Sequence, residues 1–332
     1  AILLYSGDEV FAETDWNYEQ LEAVSRKSGR MNLYIIPNRT RSSTEDILRY
    51  RQSHDVGPHP DLRPLDGEPM VARLTEFERQ ICLFEDNYGI KARSLRNHCT
   101  AWAGYLEPVE VMQRLGVRMD ANYFSGCYLR DRQHAPYAAF GSALPMRFCQ
   151  PDGRLMKVYQ QHTHLTDDGA FGAADYSYRL SPQLFAVELD RIFRDISTRF
   201  HTPYAVCIHP SNWVRFSRFQ GLELLDQAAR FGIPIWSFDQ WLDFWEARSS
   251  CTIQDLLWDG FILQFSVTSR VSHSDTHFHV PQNYEGKYLD YIKADGERVE
   301  TELVTRYGRV VALFLPVSGH SPMKYTAHYV SD

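Results

Sequence analysis

At 332 residues, with 44% hydrophobic and 23% charged side chains, the chain has a globular composition with room for two domains or one large α/β barrel and an appendage. Its formal charge of −7 argues against a nucleic-acid partner, because a phosphate backbone selects positive surfaces. No apolar run reaches the ~18 residues a membrane span needs, and the six cysteines lack CxxC spacing, which leaves the redox compartment open.

The chain opens on an apolar strand, Ala1 to Tyr5, without Met or a signal segment, so we expect sequence upstream of Ala1. Asp8 and Glu9 follow it, two carboxylates at a strand end, where α/β barrels collect their chemistry; a helix N-cap is the blander reading. Trp16 to Arg26 has helical spacing, Leu33 to Pro37 reads as a strand, and Glu45 to Arg51 as a short helix. That helix delivers the chain to Ser53-His54-Asp55-Val56-Gly57-Pro58-His59-Pro60, in which a Gly-Pro turn directs His59 into a cleft. With 13 histidines in the chain, such a pair also arises by chance.

A Pro- and Asp-rich loop to Pro69 precedes a helix from Met70 to Tyr88, and Lys91 to His98 is a basic segment ending in polar side chains. Glu107 to Leu115 reads as a helix and Gly116 to Asp120 as a strand ending on a carboxylate. Such alternation predicts parallel β/α units. The Tyr-, Gly- and Pro-rich stretch 122–148 is long enough to be functional. Leu155 to His164 returns to strand character, with His162 and His164 on opposite faces. An amphipathic helix over Leu184 to Arg199, a buried strand ending Ile208-His209-Pro210, a helix over Phe219 to Phe231, a strand at Ile233 to Trp236 and a helix over Phe238 to Arg248 complete the unit.

Past residue 248 the runs shorten and alternate between Asp-Gly and similar turns, which is hairpin grammar. We therefore expect an N-terminal domain over 1–248 and a small antiparallel β-sandwich over 249–332. The cluster His273, Asp275, His277 and His279 reads as a solvated loop in preference to a ligand set.

The ordered set Asp8-Glu9, His54 to His59, an arginine in the next unit, Asp120 and Ile208-His209-Pro210 resembles the motifs of the polysaccharide deacetylases, the NodB-homology proteins of carbohydrate esterase family 4. His54 to His59 is similar to that family's G-H-E-I-G-x-H motif, with Asp55 for Glu. Arg96-Asn97-His98 with Trp102, Leu144 to Phe148, Tyr159-Gln160-Gln161 and Trp241 to Trp245 are similar to a divergent bacterial branch. The resemblance covers roughly residues 1–248 and implies a distorted (β/α)7-type barrel.

It also implies one divalent metal, zinc by expectation, and a secreted or cell-envelope location. The implied chemistry is removal of N- or O-acetyl groups from a carbohydrate or polysaccharide. Asp8 and Glu9 take the paired-carboxylate position, base and ligand unassigned between them. His59 takes the first metal-histidine position, Arg96 that of the arginine orienting the base, and His209 that of the late acid, with Asp120 as a further carboxylate. The family's second metal histidine corresponds to Arg63, which cannot ligate, so His98 or His162 is expected to join Asp8 and His59, with Asp61 or Asp66 as oxygen alternatives. Trp102, Tyr123, Tyr137 and Trp213 are the expected sugar-stacking residues. A carbohydrate-binding or structural protein with a decayed metal site is the alternative, and a glycosidase using Asp8 and Asp120 a third reading.

Overall fold

The computed structural model describes residues 1–124, 143–173, 177–271, 273–274, 276–306, 308–314 and 319–331. Two compact units emerge, 1–241 and 242–332. The division falls within the helix Phe238–Ser250, earlier than the boundary of 248 expected from composition.

In the first unit the strands are β1 (Ile2–Glu9), β2 (Asn32–Ile35), β3 (Asp55–Pro58), β4 (Ser94–Leu95), β5 (Met119–Asp120), β6 (Met146–Cys149), β7 (Leu155–Gln160), β8 (Leu165–Thr166), β9 (Pro203–Cys207) and β10 (Ile235–Trp236). Helices such as Thr14–Ser25, Thr44–Ser53, Met70–Tyr88, Glu107–Leu115 and Pro182–Asp195 alternate with them, as the spacing predicts. Leu3, Leu4 and Tyr5 on β1 and Leu33, Tyr34 and Ile35 on β2 are wholly buried, the mark of parallel strands covered on both faces. Local signals set the helix starts: Ser43 and Asp46 form a reciprocal capping box before Thr44–Ser53, and the Ser181 hydroxyl accepts the Leu184 amide before Pro182–Asp195.

Among the described residues the strands form two sheets. One runs β3-β2-β1-β9-β8 with β10 also on β1, all parallel; the other runs β4-β5-β7-β6, parallel except for β6 against β7. β10 pairs with the Leu3–Leu4 half of β1 and β2 with the Ser6–Glu9 half. Where the sheets approach, Gly57 on β3 lies so near β4 that a Cβ there would stand 2.7 Å from the Ser94 carbonyl. A side chain at 57 would push the two strands apart.

The second unit holds β11 (Thr252–Trp258), β12 (Ile262–Ser269), β13 (Phe278–Pro281), β14 (Asn283–Tyr284), β15 (Lys287–Ala294), β16 (Glu297–Arg298), β17 (Glu302–Arg306), β18 (Arg309–Phe314) and β19 (Gly319–Ser331). They make antiparallel sheets in the orders β11-β12-β19-β15-β14, with β16 on β15, and β13-β18-β17. Phe265, Val267, Ile292, Tyr325 and Ala327 of the larger sheet pack with Val280, Ala312 and Phe314 of the smaller, which is sandwich packing. The hairpin reading, with strand runs at 260–270, 286–294, 297–306 and 310–317, missed β11, β13, β14 and β19. His279 lies on β13, while Asp275 falls outside the described residues.

Trp213, expected to stack on sugar, is 1% exposed. Its indole NH donates to Glu19 Oε1 at 2.9 Å, and its ring lies against Gly221 in the helix Arg218–Arg230. A Cβ at 221 would stand 2.7 Å from Trp213 Cε3 and nearer still to Cζ3. Gly→Ala in a helix ordinarily gains about 1 kcal/mol, but overpacking a filled core costs about 1–3 kcal/mol. Gly221→Ala is therefore expected to lower the unfolding free energy in urea titrations by about 1–2 kcal/mol; a stabilised variant would show that the tryptophan can move aside.

Candidate functional site

Strand ends converge on one cavity of about 420 Å³. Asp8 reaches it from β1, His59 from just after β3, Arg96 and His98 from the segment after β4, Thr166 and Asp168 from the end of β8, and His209 from just after β9. All come from carboxyl ends of strands, the end at which parallel α/β folds expose backbone and side chains to a ligand. Glu9 is wholly buried and does not line the cavity, because alternate residues of a strand face opposite sides. Burial pushes the Glu9 carboxyl up to about 7.

Arg96 ties the site together. Buried to 3% exposure, its guanidinium donates to Asp8 Oδ1 (2.8 Å), Ser6 Oγ (2.9 Å), the Ala121 carbonyl (3.0 Å) and Thr163 Oγ1 (2.8 Å). It also faces the rings of Tyr34 and Phe238 at 5.2 and 5.4 Å. Burial alone would raise the Asp8 pKa, but the charge of Arg96, followed by His59 and His209, outweighs it and holds the carboxyl near about 2.

Two histidines flank Asp8 in opposite states. His59 Nδ1 lies 2.7 Å from the Arg96 carbonyl; a carbonyl only accepts, so the proton sits on Nδ1 and the Nε2 lone pair is free. That Nε2 is buried without a hydrogen-bond partner and stands 4.0 Å from Asp8 Oδ2. Desolvation depresses the ring to about 4, so it stays neutral. His209 is the reverse case: burial would lower its pKa, but Asp167, 2.6 Å from Nδ1, raises it to about 10. Asp167 is itself wholly buried and also accepts from the His209 amide (3.0 Å), Ser217 Oγ (2.9 Å) and Asn212 Nδ2 (3.3 Å).

The orphaned Nε2 of His59 and the ionised Oδ2 of Asp8 fit a cation between them. A carbonyl behind a metal-bound histidine is the usual orienting contact. The expected set of Asp8, His59, His98 and His162 does not assemble, however. Among the described residues, the donor triples that close to within 4.8 Å are Asp8–Cys207–His209 and Asp167–Asp168–His209. His98 does line the cavity, with Nδ1 3.4 Å from Asp61 and its ring 5.2 Å from that of His59. Arg63 lies on the same Asp61, Nε to Oδ1 at 3.1 Å, joined by Arg39 at 2.9 Å. His54 braces the turn, bonded to Ser25 Oγ at 2.9 Å, while Asp55 is held by Arg30 at 2.7 Å.

A second cavity, about 540 Å³, shares Thr100 and Phe124 with the first and is walled by Trp102, Tyr123, Met146, Asn122 and His162. Two expected sugar-stacking residues, Trp102 and Tyr123, are there, their rings 6.2 Å apart, and His162 lines this cavity and not the one lined by Asp8 and His59. Tyr137 falls outside the described residues. Asp120 is wholly buried, bonded to the Asn122 amide, raised by desolvation to about 7, and lines neither cavity, which removes the Asp8 and Asp120 pair a glycosidase would need. Sequence reasoning missed Asp167, Asp168, Cys207 and Arg215. Thr166-Asp167-Asp168 is a strand end followed by two carboxylates, the same signal that singled out Asp8.

No family model matches the sequence, and no curated protein matches it either. Among solved structures, a Mycobacterium smegmatis protein assigned as a polysaccharide deacetylase superposes with a TM-score of 0.55 at 14% identity, over 75% of this chain and 91% of that one. A variant of the peptidoglycan deacetylase PdaC from Bacillus subtilis gives 0.45 at 12% identity over 75% and 93%, and a family 4 carbohydrate esterase from Streptomyces lividans 0.42 at 8% identity over 70% and 91%. The chain has the NodB-like deacetylase fold.

Each of the two ion pairs contributes a pH dependence to stability. The His209 pKa is raised from 6.5 to about 10, so its contribution to stability is complete below pH 6.5 and is lost as pH climbs through 10. For Asp8, lowered from 3.8 to about 2, the contribution is present above 3.8 and lost as pH falls through 2. Urea unfolding from pH 6 to 10 should show declining stability that Asp167→Asn flattens, and the His209 ring should remain protonated by NMR at pH 7. A ring neutral at pH 7 would contradict the assignment.

Proposed function

We propose that this chain is a hydrolase that removes acyl groups, acetyl in the first instance, from an amino sugar or polysaccharide. The carrying observation is that a carboxylate locked in its ionised state and an imidazole locked in its protonated state face one cavity at the strand ends. Environments that push two titratable groups apart in this way assign acid and base roles.

Asp8 and His59 would hold a divalent cation, which supplies polarisation of the acyl carbonyl and a more acidic water. With its pKa near about 2, Asp8 is too weak a base to take a proton efficiently at neutral pH and is suited to stay an anion. Arg96 keeps it in place through Oδ1 and leaves Oδ2 turned to His59. Asp168, which lines the cavity beside His209, is the second carboxylate and accepts the proton of the attacking water. His209, its ring fixed by Asp167, donates from Nε2 to the departing amine or alkoxide. Trp102 and Tyr123 offer apolar ring faces in the adjoining cavity to sugar C–H groups. A substrate of this class suits a secreted or envelope setting; among the described residues no helix is long and apolar enough to cross a membrane.

A carbohydrate-binding protein without catalysis is the second reading, favoured by one observation: the second ligand position of the resembling motif is Arg63, committed to Asp61. Acetate release from N-acetylglucosamine oligomers and from acetylated xylan, with metal content measured on the same samples, separates the two. His59→Ala is expected to lose both metal and activity. His209→Ala should retain metal while kcat falls about 10²–10⁴-fold with KM little changed. Sugar binding without acetate release at any metal loading would support the second reading.

A further inference from the structure

Two arginines line the cavity that holds Asp8 and His209, and their situations are opposite. Arg96 is buried, its guanidinium spent on Asp8, Ser6, Thr163 and the Ala121 carbonyl. Arg215 is exposed, and among the described residues no carboxylate stands within the 4.0 Å of an ion pair. We propose that Arg215, with the hydroxyl of Ser211, binds a carboxylate on the substrate, so that the preferred glycan carries an acidic group on or next to the acylated sugar. The inference rests on the hydrolase reading and adds to it the chemical class of the substrate.

Arg215 belongs to the segment that follows His209. That segment is pinned at three points: Asn212 Nδ2 and Ser217 Oγ donate to Asp167 at 3.3 and 2.9 Å, and the Trp213 indole donates to Glu19 at 2.9 Å. Trp213–Ser217 is a π-helical turn, in which the wider backbone spacing leaves Val214, Arg215 and Phe216 exposed between the buried Trp213 and Ser217. Arg215 Cζ lies 5.9 Å from the centre of the Trp16 ring, a cation–π contact that steadies the side chain. Arg218, three residues on, is by contrast committed to Glu19 at 3.0 Å. Ser211 also lines the cavity, and its hydroxyl has no hydrogen-bond partner among the described residues.

A guanidinium keeps its charge in a protein, and its planar fork matches a carboxylate in charge and shape. Other charges on the cavity wall are already met, Asp8 by Arg96 and His209 by Asp167. An Asp168 oxygen lies within 4.8 Å of a His209 ring nitrogen. A carboxylate on the substrate supplies the one opposite charge that Arg215 lacks. A phosphate dianion would leave a negative charge over in a cavity that also holds Asp168.

The test measures acetate release by the full chain, at matched metal content, from N-acetylglucosamine oligomers and from the same oligomers bearing a carboxylate in place of the primary alcohol, a carboxyalkyl ether or a phosphate ester. A carboxylated form is expected to exceed the neutral oligomer about 10–100-fold in kcat/KM, with the difference lying in KM and shrinking in about 0.5 M salt. Arg215→Met should erase that preference, Arg215→Lys should restore part of it, and Arg218→Met should keep it; circular dichroism checks that each variant is folded. Equal rates on neutral and carboxylated oligomers, a preference that survives Arg215→Met, or a stronger preference for the phosphate ester overturns the carboxylate subsite and leaves the hydrolase reading standing. Should no oligomer release acetate, the hydrolase reading falls and calorimetric titration with the same oligomers decides the subsite. Tighter binding of a carboxylated form that Arg215→Met abolishes then supports it, and equal binding overturns it.

Discussion

The structure of the site depends on a single buried cation. A guanidinium taken out of water is tolerated only when its donors are met and its charge is balanced. Arg96 meets that condition by drawing on β1, the segment after β5 and Thr163 at once. Because those partners belong to both sheets, the arginine holds together strands that share no ladder. Removing one member of such a pair typically costs about 3–5 kcal/mol, so the residue that holds Asp8 in place is also one the fold cannot easily lose.

From that arginine the chemistry divides. Its side chain keeps Asp8 an anion, while its backbone carbonyl accepts a hydrogen bond from His59 Nδ1–H and fixes which nitrogen of that ring is bare. Across the cavity Asp167 does the opposite for His209, with five hydrogen bonds converging on one buried carboxylate. Neither arrangement requires a bound substrate. The charge pattern follows from the protein's own contacts, which is preorganisation in the electrostatic sense.

Much of this was legible in the sequence, and the reasons for the gaps are physical. Asp8, His59 and His209 could be picked out because parallel strands present functional side chains at one end, and each follows an apolar run. The exclusion of Glu9 follows from the two-residue period of the same strand and was available from the start. Asp167 and Asp168 obey the strand-end rule but were passed over because β8 is only two residues long, too short for an apolar run. Asp120 ends a strand yet is wrapped by Asn122, and no sequence pattern distinguishes a buried carboxylate from an exposed one. Trp213 fails as a stacking residue because its neighbour in space is Gly221, eight positions on, and the fit of a ring over a bare Cα is a property of packing. The barrel expectation gave the alternation of strands and helices; that the described ladders fall into two sheets, with none joining β3 to β4, turns on strand spacing that residue type does not carry.

The contact between Arg63 and Asp61 has a bearing on how this site can change over generations. Asp61 is buried and accepts from Nε and Nη2 of Arg63, one edge of its guanidinium, in addition to Arg39. A histidine substituted at 63 would surrender those contacts and leave a buried anion with half its compensation, so the motif cannot be rebuilt by one exchange alone. Positions 61 and 63 are thereby coupled, since an exchange at either one alone removes a partner the other now has.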